Sequence, residues 1–145
     1  VDSSQDALAF AESNAALNGQ TTTQVCADVF EYLRAHKRDE AEYDVIVLDP
    51  PKMAHNPAQI DKAARAYKDA NRLALRMLKP GGVLATFSCS GVISPELLQQ
   101  IVFSAGLEAN CELRIVERLT QASDHPVLTT YPESGYLKGL ILRVN

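Results

Sequence analysis

At 145 residues, with 46% hydrophobic and 22% charged positions, the chain has the composition of one globular domain, 1–145, large enough to bury a core. No apolar run approaches the roughly 20 residues that cross a bilayer, and Val1-Asp2-Ser3-Ser4 has neither a basic region nor an apolar signal core, so the reading is cytoplasmic with no membrane partner. The net charge of −4 excludes a basic stripe that would hold RNA unaided: His36-Lys37-Arg38 is followed at once by Asp39, Glu40 and Glu42, a solvated helix end.

Helical and strand signals alternate along the chain, which is the pattern of an α/β domain with a parallel sheet. Ser3-x-x-Asp6 reads as a capping box opening a helix with Leu8, Ala11 and Ala15 on one face, stopping near Asn18-Gly19. Val25-Cys26-Ala27 reads as a short strand, and Phe30 and Leu33 mark a brief helix after it. Residues 43–48, Tyr-Asp-Val-Ile-Val-Leu, are β-branched and apolar without alternation, which predicts a central strand buried on both faces. Past the loop 49–57, apolar residues from Ile60 to Leu78 at steps of three and four predict a long helix, ended by Lys79-Pro80-Gly81-Gly82.

Val83 to Phe87 is the next strand, and Ser94-Pro95 caps a helix expected to end at Gly106. Glu112 to Leu119 and Tyr136 to Val144 read as strands with no helix between them, so they are expected to pair as an antiparallel hairpin across a long loop.

Ligands of open α/β sheets bind at the carboxyl ends of the strands. Three strand ends stand out: Asp2, Asp49-Pro50-Pro51-Lys52 and Ser88-Cys89-Ser90-Gly91. In the second, the prolines remove backbone donors and fix φ, holding a loop open against which a flat base can rest; an ordinary turn with a capping aspartate is the plainer alternative. A cysteine at a strand end is usually a small buried hydrophobe. Ser88, Ser90 and Gly91 make the surroundings of Cys89 small, polar and flexible, which suits an accessible thiolate. Cys26 and Cys111 lack such neighbours and read as structural. With an odd cysteine count and no CxxC pair, neither a disulfide framework nor a zinc site is expected, and no metal.

These runs, together with Leu78-Lys79-Pro80-Gly81-Gly82, Asp124-His125-Pro126, Tyr131-Pro132-Glu133 and Tyr136-Leu137-Lys138-Gly139, resemble in order the RlmI-like ribosomal RNA large-subunit methyltransferases, which form 5-methylcytosine. The resemblance implies a Rossmann-like class I methyltransferase fold with S-adenosyl-L-methionine as cofactor and ribosomal RNA as partner. It implies that Asp2 bonds the ribose hydroxyls of the methyl donor and that Asp28 and Val29 flank its adenine. Asp49 then matches the acid of the fourth motif, at the cofactor and the base alike, and Cys89 matches the nucleophile that adds to carbon 6 of cytosine. Asp49, protonated or bridging, would bond N3 and the exocyclic amine of the ring. Pro50, Pro51 and Lys52 fall on the substrate side, where Lys52 neutralises an RNA phosphate or points into solvent. The base that removes the carbon 5 proton is not identified, and His125 and Glu133 are candidates, with a rigid turn at Asp124-His125-Pro126 as the alternative.

The family's glycine-rich cofactor loop, the strand before it and the N-terminal RNA-binding PUA domain have no counterpart here. The family strand order, 3-2-1-4-5-7-6, then predicts an open edge on the fourth strand, covered either by the Val25 strand in a rearranged sheet or by a second copy in a homo-oligomer. It also predicts weak or absent cofactor binding and no turnover in this segment alone. Two other readings compete: an amino-group methyltransferase acting on adenine or guanine, which shares an Asp-Pro-Pro turn but needs no thiol and prefers an aromatic residue where Lys52 stands, and an inert, self-associating segment.

Overall fold

A computed structural model describes residues 1–36 and 43–145; the basic and acidic positions Lys37, Arg38, Asp39, Glu40 and Glu42 lie outside the described residues. Two compact units are present, Val1–Glu40 and Ala41–Asn145.

The first unit holds helices α1 (Gln5–Leu17) and α2 (Val29–His36). The cap of α1 is Ser4 rather than Ser3, because Ser4 has the extended backbone of a cap and its Oγ accepts from Ala7 N at 3.2 Å. Asn18 closes the helix and Gly19 follows with φ +66°. Each helix buries one leucine, Leu8 and Leu33. The expected Val25–Ala27 strand is reduced to one parallel bridge, Asp2 with Cys26, because only Asp2 lies alongside it. Cys26 is exposed, against the expectation of a buried structural thiol.

The second unit is a four-stranded sheet, β1 (Tyr43–Leu48), β2 (Leu78–Ser88), β3 (Leu113–Thr120) and β4 (Lys138–Val144), in the order β1-β2-β4-β3. The pair β1/β2 is parallel; β2/β4 and β3/β4 are antiparallel. That order reproduces the expected 4-5-7-6, including the hairpin. The strand expected to be central, β1, is an edge of this sheet, with β2 as its described partner.

Helices α3 (Ile60–Leu75) and α4 (Pro95–Ala109) cover one face of the sheet. On that face lie Leu84, Thr86, Leu140 and Leu142, all buried, and their side chains with Leu98 and Tyr67 make the core, at about 1.5–3 kcal/mol per buried large apolar residue. Ser88 bonds Tyr67 of α3, and Arg118 of β3 bonds Gln99 of α4, which places both helices on this side. Lys68 and Arg72 of α3 pair with Glu108 of α4. The opposite-facing Val45 and Val47 are 59% and 66% exposed, contrary to a strand buried on both faces.

Two helix ends differ from the sequence pattern. Helix α3 stops at Leu75, and Lys79-Pro80-Gly81-Gly82 lies inside β2. The register jumps there, from Tyr43 opposite Leu78 to Val45 opposite Val83. The extra β2 residues loop outward, since Pro80 has no donor for the ladder and Gly81 sits at φ +81°. Helix α4 runs through Gly106 to Ala109 and is closed by Asn110 at φ +58°. Gly106 serves packing rather than termination: a Cβ there would lie 2.9 Å from Leu113 Cδ1 of β3. Among the described residues no helix is long and apolar enough to cross a membrane.

Candidate active site

The parallel pairing carries β1 and β2 to the same edge, with Leu48 opposite Thr86 as the last pair. Each strand then exits into one of the loops singled out above. The β1 exit exposes Asp49, Pro51 and Lys52 and buries Pro50. The β2 exit carries Cys89, a free, half-buried thiol between two fully buried serines.

Those serines overturn the expectation of a flexible loop. Ser90 Oγ accepts from Met53 N at 3.1 Å and Ala54 N at 3.2 Å, so it clasps the far side of the Asp49 loop. The Tyr67 hydroxyl lies 3.2 Å from Ser90 Oγ and accepts from Ser88 Oγ at 3.0 Å. Ser90 N donates to Ser88 Oγ at 3.3 Å. One buried cluster therefore joins the β1 exit, the β2 exit and α3, and fixes the backbone on both sides of Cys89. A buried network with its donors and acceptors matched is rigid, because breaking any member leaves a polar group without water.

A fourth element reaches the same place. Lys138, the first residue of β4, lies opposite Ser88 and donates from Nζ to the Ser90 carbonyl at 2.7 Å. Burial pulls this amine below the usual lysine range; the charge of Cys89 pushes it back up, and Lys52 pulls it down. Gly139 follows because the Phe87 ring leaves no room: a Cβ there would lie 2.6 Å from two ring carbons.

His125 and Glu133 stand on the loop between β3 and β4, which Gln121 organises. Its Nε2 donates to the carbonyls of His125 at 2.8 Å and Ser134 at 2.9 Å, while its Oε1 accepts from Tyr136 N at 3.1 Å. Both candidates are exposed. The His125 ring pairs with Asp124 at 3.2 Å, and this hydrogen bond and charge hold the Asp124 carboxyl below the usual carboxylate range. His125 lines a cavity of about 350 Å³ with Gln121, Pro126, Val127, Gly135 and Leu137, a set without Cys89 or Asp49. The hydrogen bonds and ion pair of His125 stay within its own loop.

In the first unit, Asp2 N donates to Val25 O and Ala27 N to Asp2 O, so Asp2 lies alongside the segment that leads into Asp28. Asp2 Oδ1 accepts from Ser4 N at 2.7 Å. Asp28 Oδ1 accepts from Phe30 N at 2.8 Å and Glu31 N at 3.1 Å, capping α2, whose first residue is the half-buried Val29.

Sequence reasoning missed the linking residues: Tyr67, Lys138, Gln121 and the clasp made by Ser90. Tyr67 read as one more apolar position on a helix face. Lys138 did carry a signal, a lysine followed by Gly139, Leu140, Ile141 and Leu142 at the edge where β2 ends.

The chain is 52% identical over 146 residues to ribosomal RNA large subunit methyltransferase I of Aeromonas hydrophila and 51% identical to that of Tolumonas auensis, covering 99% of this chain and 37% of each relative. It thus spans a little over a third of the length of the curated relatives it matches. The crystal structure of SMU.776 complexed with SAH matches with a TM-score of 0.79 at 20% identity, covering 97% of this chain and 37% of that one. The fold is accordingly the Rossmann-like class I methyltransferase fold. Residues 1–117 match the family model of the methyltransferase small domain, and the chain belongs to that family.

Proposed function

We propose that this chain is the catalytic part of an S-adenosylmethionine-dependent methyltransferase that forms 5-methylcytosine in large-subunit ribosomal RNA, with Cys89 as nucleophile. One observation carries the reading. The only free thiol at the strand exits among the described residues is held half-buried between two locked serines, in a loop clasped to the Asp49 loop. A thiol used merely for packing needs no such clasp.

The carboxylates present suit the methyl donor: Asp2 and Asp28 stand at the Asp2–Cys26 bridge in the first unit, and a carboxylate oxygen is the natural acceptor for ribose hydroxyls or an exocyclic amine. Bound there, S-adenosylmethionine supplies an electrophilic methyl group on a sulfonium centre. Carbon 5 of cytosine is a poor nucleophile until the Cys89 thiolate adds to carbon 6 and the π pair of the carbon 5–carbon 6 double bond becomes available at carbon 5 to take the methyl, with the demethylated thioether as leaving group. Asp49, at the exposed rim, accepts from the exocyclic amine and, when it carries a proton, donates to N3, holding the ring over the Pro50-Pro51 turn, while Lys52 takes a phosphate of the RNA. Once carbon 5 carries the methyl, a base removes its proton, the double bond reforms and the thiolate leaves. His125 and Glu133 remain the candidates, and the looser tie of their loop to the clasp requires that RNA binding bring it in. The open edge of β1 is a further place for self-association.

The test is methyl transfer to ribosomal RNA by the protein at its full natural length. Cys89→Ala and Cys89→Ser are expected to abolish 5-methylcytosine while leaving RNA binding intact. Full methylation by Cys89→Ala would contradict the reading and favour amino-group transfer, which uses the Asp-Pro-Pro turn without a thiol.

A further inference from the structure

Strand β4 opens with a lysine that the chemistry above does not use. Lys138 is only 8% exposed, among residues that otherwise continue as Gly139-Leu140-Ile141-Leu142. Burying an ammonium is costly unless hydrogen bonds or an opposite charge compensate, and an apolar side chain of similar length would avoid the cost. The compensation found is specific. Lys138 lies opposite Ser88 in the ladder and bonds the carbonyl of Ser90, so it engages the residues on either side of Cys89.

We propose that Lys138 is a positioning residue for Cys89: its ammonium pins the turn through the Ser90 carbonyl and presents a positive charge to the thiolate. This rests on the reading of Cys89 as the nucleophile. Its charged neighbours are Cys89 from the β2 exit and Lys52 from the β1 exit. Helix α3 contributes the Tyr67 phenol, tied to Ser88 and Ser90. Cys89 in turn favours the charged form of Lys138. Lys52 opposes it.

The experiment replaces Lys138 by Met and by Gln in the full-length protein, both lacking the charge. Alkylation of Cys89 by iodoacetamide is followed by peptide mass spectrometry from neutral to alkaline pH, with exposed Cys26 of the same molecule as reference. The Cys89 to Cys26 rate ratio is expected to fall about tenfold near neutral pH in either folded variant, and the gap to close as rising pH ionises the thiol without help. An unchanged ratio, or a fall equal at all pH values as loosening alone would give, overturns the proposal. So does loss of the fold in both variants, which assigns Lys138 to structure. Because the readout needs no RNA, a ratio that falls in a protein unable to form 5-methylcytosine keeps the role of Lys138 and sinks the cytosine reading.

Discussion

Replacing Ser90 with alanine removes one oxygen from the point where three elements meet. In the native chain that oxygen accepts from Met53 N and Ala54 N and lies within hydrogen-bonding distance of the Tyr67 hydroxyl. Ala54 and Tyr67 are fully buried and Met53 is half-buried, so water does not reach the orphaned groups of Ala54 and Tyr67 without local opening. The buried Ala54 donor left unmade costs about 1–3 kcal/mol, the half-buried Met53 donor about 1 kcal/mol, and Tyr67 keeps its bond from Ser88, which gives a total of about 2–4 kcal/mol. The loss falls on the loop that presents Asp49. Amide hydrogen exchange reads it directly: at 1.4 kcal/mol per tenfold, about 2 kcal/mol corresponds to roughly 30-fold faster exchange at Met53 and Ala54. Ser104→Ala, which removes only an exposed bond to Gln100 O, is the control and should leave those amides unchanged. Exchange at Met53 and Ala54 in Ser90→Ala within about twofold of the native rate would refute the clasp.

Gly139→Ala is expected to destabilise the protein by about 1–3 kcal/mol in urea unfolding, since a Cβ 2.6 Å from the Phe87 ring forces the ring or β4 to move. Gly106→Ala should not gain the roughly 1 kcal/mol that alanine returns inside a helix, because its Cβ would meet Leu113 Cδ1 at 2.9 Å and the backbone oxygen of Cys111 at 3.2 Å. Glu108 is held below the usual carboxylate range chiefly by its hydrogen bond from Lys68. A depressed carboxyl contributes stability that is present above its unfolded value and lost as pH falls through the folded one, so Glu108→Gln should flatten the acid limb of the stability curve. Burial pushes the Cys111 thiol up, so Cys111 should react with iodoacetamide more slowly than an unstructured cysteine peptide at the same mildly alkaline pH.

The hairpin and both loops of interest were legible because they depend on short-range pattern, namely an apolar run that stops at Asp49, a second that stops at Cys89, and two strands with no helix between them; the sheet order was implied by the family resemblance. The misreadings also have local causes. Lys79-Pro80-Gly81-Gly82 has the composition of a helix stop, yet Leu75 already ends α3 and the same glycine freedom lets the strand bulge. Gly106 looked like a terminator, but packing against Leu113 set its identity. Ser88 and Ser90 were read as flexibility because small polar residues are the same letters in a mobile loop and in a buried clasp. What distinguishes the two is contact with partners 36, 37 and 48 residues away in the chain, at Ala54, Met53 and Lys138, and spacing along a single sequence carries no signal for it.

The most direct test of the central claim is covalent capture of the full-length protein on large-subunit ribosomal RNA containing 5-fluorocytidine, with S-adenosylmethionine present. Fluorine at carbon 5 blocks the final proton removal, so a thiol that has added to carbon 6 stays attached. The account predicts a denaturant-stable protein–RNA adduct whose peptide maps to Cys89 and which disappears in Cys89→Ala; absence of any adduct with methyl transfer intact, or an adduct mapping to Cys26 or Cys111, would contradict it.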